Sequence, residues 1–291
     1  MSMDNGKQIV DASAKSRKKK ERINIIKHII LIITVIITLL PLVVVILGSF
    51  KSHEDFLTSG VFSLPKKWVF DNYKTAFVDG NMLVGFKNTA IILFFSIIAT
   101  IFTGTMTAYI ISRFRFPGRK LISNLFLIAS LIPSITMQMS VFQIIKNMGL
   151  YNTRLATIVL FAGTDIISIY IFLQFLDNIP YSLDESAIID GASYFKIYWE
   201  IIFPLLKPAI ITVVIIKGVG YYNEFYTPYL YMPRQEYAVI STALYKFTGP
   251  YGSKWEIICA GIVITLLPTF IAFILLQKQI YAGMTQGSVK E

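Results

Sequence analysis

Reactive side chains are scarce in this sequence. One cysteine, Cys259, and two histidines, His28 and His53, stand among 291 residues. A lone cysteine closes no intramolecular disulfide. It falls inside an apolar run and reads as a free thiol packed among apolar side chains. Two distant histidines supply neither a His-based metal site nor a Ser-His-Asp set, so no metal is expected. The stretch G-x-x-x-x-G-K-[ST] is absent, and "GPYGSK" at 249–254 has neither its spacing nor its hydroxyl. Charge is thin too: 15% of residues, where a soluble domain carries about a quarter. There is no low-complexity tract, soluble appendage or clear internal repeat.

What fills the chain is apolar. Hydrophobic residues make up 55% of it, in runs long enough to cross a bilayer, which takes about 20 residues. The expectation is an all-α polytopic membrane protein with six spans, near 25–49, 88–112, 121–145, 155–176, 208–230 and 257–277. A basic segment, 1–24, precedes the six-helix domain of 25–280, and a tail, 281–291, follows. The net charge of +10 is no nucleic-acid signature. Lys15, Arg17, Lys18, Lys19, Lys20 and Arg22 sit just before the first run, where they face anionic lipid headgroups. The run from Ile29 to Leu47 is longer than a signal-peptide core and no small-residue cleavage site follows, so it reads as an uncleaved span. With an inside N-terminus, inside segments hold 16 Lys and Arg and outside segments hold 10. That matches the positive-inside bias and puts both termini in the cytoplasm. The outside segment 51–87 carries Pro65, Trp68 and Tyr73, which suit an interfacial or re-entrant lie near the headgroups.

Three ionisable residues fall within spans: Asp165, Lys217 and Glu224. Each costs about 2.5–3.5 kcal/mol at a helix centre, so each is expected to face protein or water. Lys217 and Glu224, seven apart, share one helix face. They read either as a buried ion pair that fixes packing or, with Asn223, Tyr226 and Tyr221, as a polar wall of a solute pathway. Thr164 and Ser168 are at hand to satisfy Asp165. Acidic residues in spans also allow a proton-coupled transporter, but six spans without an inverted repeat argue against it.

The remaining anomaly is the acidic segment 177–207, with five acidic and two basic residues between greasy spans. Ser182 and Glu185 have capping-box spacing. A short helix is expected to about Asp190, then a turn at Gly191, which adopts positive φ without strain. A second helical piece would set Phe195, Trp199, Ile202 and Phe203 on one apolar face. Pro204 and Pro208 then break it. The result is a helix–turn–helix elbow across the membrane face.

"ESAIIDGASYFKIYWEIIFP" resembles the EAA loop of ABC-importer permeases, with Glu185, Ser186, Ala187, Gly191, Ile201, Phe203 and Pro204 at the motif positions. Ser186 stands for the usual Ala and Phe203 for the usual Leu. "AYIISRFRFPGRK", "NMGLYNT", "YNEF", "PKKWVFDNY" and "QKQIYAGMTQGSVK" resemble segments of the carbohydrate-uptake permeases, on the side of the smaller, six-span maltose-type subunit. The resemblance covers about residues 61–290.

The resemblance implies a type I ABC importer permease in the bacterial plasma membrane, a transport subunit and not itself an enzyme. Its partners would be a second homologous permease, two cytoplasmic ATPase subunits that bind ATP and Mg, and an extracytoplasmic sugar-binding protein. The chain itself would hold no cofactor. Glu185, Ser186, Ala187, Asp190, Gly191, Ile201 and Pro204 would couple to an ATPase, with Glu185 meeting a basic residue. The tail at Gln286, Gly287 and Ser288 is a second candidate contact. The cargo would be a sugar or oligosaccharide. The alternative is another polar solute, such as a glycerol phosphodiester or a modified sugar. Lys217, where relatives more often carry an apolar or aromatic residue, would suit an anionic or heavily hydroxylated cargo.

Overall fold

The computed structural model describes residues 2–163, 165–249 and 252–286, with side chains from 24 to 279 apart from those gaps and Ser134. Among them every regular element is helical. In chain order these are α1 (Ser2–Ser49), α2 (His53–Thr58), α3 (Asp71–Asp79), α4 (Met82–Arg113), α5 (Arg119–Ser130), α6 (Ser134–Asn147), α7 (Arg154–Ala162) and α8 (Ile166–Leu176). Then come α9 (Ser182–Ile189), α10 (Tyr194–Ile197), a π-helical turn (Tyr198–Ile202), α11 (Phe203–Leu205) and α12 (Lys207–Asn223). The last are α13 (Tyr226–Tyr231), a 3-10 turn (Gln235–Tyr237), α14 (Ile240–Ala243), a second 3-10 turn (Leu244–Phe247) and α15 (Trp255–Gln286).

Among the described residues three helices are long and apolar enough to span a membrane, and six spans result when each of three bent pairs counts as one. The third, fourth and fifth spans were expected as continuous helices and are not. The third breaks before α6 at Pro133, a residue with no N–H for the helix ladder. The fourth breaks at Gly163, with Asp165 capping the next helix. The third bent pair joins Tyr194–Leu205 to α12 across a 69° bend, and the expected fifth span ends at Asn223 and resumes at Tyr226. The second span starts earlier than expected, at Met82.

The chain divides into two compact units, Met1–Tyr73 with Lys254–Val263, and Lys74–Ser253 with Ile264–Glu291. In the first, the apolar stretch Asn24–Ser49 is exposed along most of its length, as a lipid-facing helix is, and buries only its last turn at Gly48 and Ser49. Phe50 packs its ring 5.1–5.3 Å from those of Trp68, Phe70 and Tyr73. Lys51 is buried, and its Nζ donates to Ser59 Oγ, Gly60 O and Ser63 Oγ at 2.8–3.0 Å. Pro65 is buried, Tyr73 half-buried and Trp68 half exposed. Cys259 is a buried free thiol.

The second unit is built on α4, which packs on α7, α8 and α12. Its buried face carries Asn88, Thr89, Ser96, Thr100, Gly104 and Thr105. Small residues let helices approach closely in a membrane, and a Cβ on Gly104 would meet the Phe172 ring at 3.0 Å. Asn88 uses its whole amide. It donates to Glu236 O and Ala238 O at 2.9 and 2.8 Å, and accepts from Arg154 Nε at 2.8 Å. A core of Ala108, Tyr109, Phe172, Leu176, Ala187, Ile197, Tyr198, Ile202, Leu206, Ala209 and Val213 joins α4, α8 and α12 to the elbow.

Candidate functional site

The elbow 177–207 forms as two helical pieces around a turn. Gly191 has φ +80°, the conformation expected of it. Its N–H donates to Ile188 O at 3.0 Å, and Ala192 N–H to Ala187 O at 2.9 Å. The expected Ser182–Glu185 capping box does not form. Tyr181 is already helical (φ −66°, ψ −24°), so Ser182 lies inside the first turn and no side chain caps it.

The second piece also differs from expectation. The π turn shifts the register, so Ile197, Tyr198, Ile202 and Leu206 point inward. Phe195 and Trp199 stay exposed, and Trp199 stacks on Phe203 with ring centroids 5.0 Å apart. A single apolar face of Phe195, Trp199, Ile202 and Phe203 assumed strict α-helical spacing, which an inserted residue breaks.

The elbow hangs on the end of α4 through a charge pair that the sequence did not single out. Arg113 Nε lies 3.1 Å from Asp184 Oδ2, with both side chains at most 7% exposed. Arg113 also donates to Ile179 O at 3.0 Å and lies over the Tyr181 ring, whose hydroxyl donates to Arg113 O. Burial pushes the Asp184 carboxyl above its ordinary range, and Arg113 pulls it back in part. Tyr198 hydrogen-bonds Thr105 at 2.8 Å, and Tyr109 packs 5.4 Å from Tyr198. The available signals were Arg113 within the basic "RFRFPGRK" and Asp184 beside Glu185, but spacing alone does not pair residues 71 apart.

With Asp184 and Ala187 turned in, the opposite face presents Glu185, Ser186, Ile188, Ile189, Asp190 and Phe195, all exposed. Ile189 is 85% exposed, an uncommon position for a large apolar side chain. Ile201 is half-buried and Pro204 exposed.

The intramembrane charges pair differently from the expected Lys217–Glu224. Lys217 Nζ donates to Asp165 Oδ1 at 2.7 Å, each side chain about 15% exposed. Asp165 also accepts from Ser168 N–H at 3.3 Å and from its hydroxyl. Thr164 lies outside the described residues. Glu224 instead accepts from Thr227 N–H at 3.0 Å, where the fifth span breaks. The reason is the break itself: with Glu224 in extended backbone, the seven-residue repeat no longer stacks it under Lys217. Asn223 bonds back to Val219 O, and Tyr226 is exposed. Tyr221 stacks on Phe161 at 4.3 Å and donates to Phe161 O at 2.8 Å. So Asp165, Lys217 and Tyr221 gather near the fourth-span break, and Asn223, Glu224 and Tyr226 at the fifth. Helix α15 ends at Gln286; Gly287 and Ser288 lie outside the described residues.

A helical chain with several apolar spans and an exposed surface elbow is the architecture to be placed. Residues 100–282 match the family described as binding-protein-dependent transport system inner membrane component. The chain belongs to that family: it is a transport subunit of an ABC importer and not itself an enzyme. It is 30% identical over 268 residues to the diacetylchitobiose uptake system permease protein of Streptomyces coelicolor, covering 91% of this chain and 88% of that one. It is also 30% identical to the galactooligosaccharides transport system permease protein of Bacillus subtilis, covering 90% and 94%. The fold matches a chain of a bacterial ABC transporter involved in the import of the acidic polysaccharide alginate. The TM-score is 0.77 at 21% identity, over 88% of this chain and 95% of that one. That likeness speaks to the fold alone.

Proposed function

We propose that this chain is one of two permeases in a bacterial plasma-membrane importer that carries an oligosaccharide, and that the elbow is its seat on an ATPase subunit. The cargo reading is supported by relatives named for oligosaccharide transport that align along nearly their whole length. The assembly would contain a second permease, two ATPase subunits that bind ATP and Mg, and an extracytoplasmic binding protein. Both termini would lie on the cytoplasmic side, with the basic segment 1–24 against the lipid.

One observation carries the coupling role. The elbow is anchored on its inner face by buried Asp184, Ala187, Ile197 and Tyr198, and bare on its outer face at Glu185, Ile188, Ile189 and Phe195. A surface element that buries charge to hold its position, yet leaves large apolar residues uncovered, suits docking on another protein. Movement of an ATPase pulling on such an elbow passes through Arg113 to α4. Gly191 permits the turn, Asp190 ends the first helix, and Ile201 and Pro204 lead into the fifth span. Asp165, Lys217, Asn223, Glu224 and Tyr226 would line the solute pathway, and Gln286, Gly287 and Ser288 would add a tail contact.

The test is co-purification of the tagged chain with its co-expressed partners in mild detergent. Wild type should retain a second permease and the ATPase. Glu185→Arg and Gly191→Pro should insert, keep the second permease and lose the ATPase. Glu185→Gln separates charge from folding: no cap forms in this structure, so its stability should stay within about 0.5 kcal/mol while ATPase retention falls. Retention of the ATPase by all three variants would sink the docking role. A ligand screen of the binding protein against oligosaccharides tests the cargo, and binding of only non-sugar solutes would replace it.

A further inference from the structure

The end of the second unit farthest from the elbow holds a hollow of about 540 Å³. It opens where α4 begins, at Gly80 and Asn81, whereas the elbow hangs where α4 ends, at Arg113. A 32-residue helix separates the two by about 48 Å. Given that the elbow faces the ATPase, the hollow lies on the face that receives cargo, and the inference rests on that reading.

Aromatic faces and hydrogen-bond donors line it. Tyr151, Tyr229 and Tyr245 are 37%, 44% and 50% exposed. Tyr229 and Tyr245 hold their rings 5.0 Å apart at 68°, and Phe225 stacks behind Tyr229 at 5.2 Å, nearly parallel. The exposed rings are thus braced from behind. Asn81, Arg234 and Lys246 complete the rim, and among the described residues no carboxylate lines the hollow. Asn81 holds φ +49°, uncommon for a residue with a side chain.

The walls are tied to one another rather than loosely apposed. Asn152 N–H donates to Tyr231 O at 2.8 Å, and Arg234 N–H to Asn152 Oδ1 at 3.2 Å. Asn88 holds the strand of loop just beyond through Glu236 O and Ala238 O. A fixed concavity needs no ordering when it is filled.

We propose that this hollow is an oligosaccharide subsite that takes up the cargo at the mouth of the permease. A sugar ring has apolar C–H faces and a hydroxylated edge. Exposed tyrosine rings match the faces, amphipathic bodies with a polar tip. Amide, guanidinium and ammonium groups match the edge as donors, and Arg234 keeps donors to spare beside its exposed 3.5 Å contact with Glu236 Oε1. The volume falls within the range of small-molecule sites, about 300–1,000 Å³. A protein loop is the other occupant such a rim admits, and the test separates it.

The experiment uses the whole transporter in lipid nanodiscs without its binding protein, probed by saturation-transfer NMR with diacetylchitobiose, galactotriose, maltotriose and raffinose. At least one probe should show ring-proton signals with wild type that fall at least fivefold in Tyr229→Ala/Tyr245→Ala. Arg234→Ala should give a smaller loss. Tyr229→Phe should keep the signal, which a hydroxyl-only role would not allow. In cells, the double variant should raise the KM of uptake at least fivefold, with binding-protein recruitment unchanged. If uptake and signals are unaffected, the subsite is wrong while the importer reading stands. If the variants leave the NMR signals intact but weaken recruitment of the binding protein, the hollow is a protein-docking surface. If the binding protein and the cells accept no oligosaccharide at all, the cargo reading and the subsite fall together.

Discussion

Among its described residues the second unit buries two ion pairs, and they are unlike. Arg113–Asp184 joins the end of a span to the elbow, with both side chains almost wholly buried and 71 residues apart. Lys217–Asp165 joins two broken spans, is about 15% exposed, and puts its lysine on one 2.7 Å bond. Arg113 has other anchors, in Ile179 O and the Tyr181 ring. Asp165 has other anchors too, in Ser168. Neither Asp184 oxygen makes a regular hydrogen bond, so its charge depends on Arg113. Taking charges from water costs several kcal/mol per ion, and the return comes only with good geometry. The first pair therefore reads as a fixed joint. The second, slightly exposed and with a partner-rich aspartate, reads as a contact that can be exchanged.

The sharpest break of this contrast is Arg113→Ala. It strands a buried carboxylate, and the expected loss is about 3–5 kcal/mol. Thermal unfolding in detergent and uptake should both fall. Arg113→Met with Asp184→Leu should recover most of the stability, because replacing both charges removes the burial cost, yet uptake should stay impaired if the pair transmits movement. Recovery of both would reduce the joint to packing.

Lys217→Met should cost less, about 1–3 kcal/mol, since Asp165 keeps Ser168 and some water. Its clearer effect should be on transport: a changed substrate range or KM with the ATPase still bound. Unchanged uptake across an oligosaccharide panel would remove Lys217 from the pathway.

The smallest effect is in pH. Burial raises the Asp184 pKa above its ordinary value of 3.8. The folded state then binds more protons than the unfolded one between those two values. This contribution to stability is complete below the ordinary pKa and is lost as pH rises through the raised one. Wild type should therefore gain stability over Asp184→Asn as pH falls from neutral into that window. A difference that is flat with pH, or of opposite slope, would show that Arg113 overrides burial.

Spans, elbow and family were legible because each leaves a local mark. Apolar runs of bilayer length, the turn at Gly191 and the spacing from Glu185 to Pro204 need no knowledge of neighbours. The readings that went astray share another feature: each assumed where a helix runs, two of them that it is unbroken and one that it starts later. Lys217 and Glu224 share a face only if the fifth span continues through Glu224, and it stops there. Phe195, Trp199 and Ile202 share a face only without the π turn at Tyr198–Ile202. Ser182 caps α9 only if the helix starts after it, whereas Tyr181 is already helical.

Hydropathy and motif spacing by themselves determined that this chain is a helical permease with an elbow, because a bilayer leaves backbone polar groups few ways to be satisfied. Only the tertiary structure decided which charges meet, which elbow face is buried, and that Tyr151, Tyr229, Tyr245 and Arg234 surround one hollow. Such pairings depend on where helices break and how they then pack, and that free energy is shared among residues far apart in the chain.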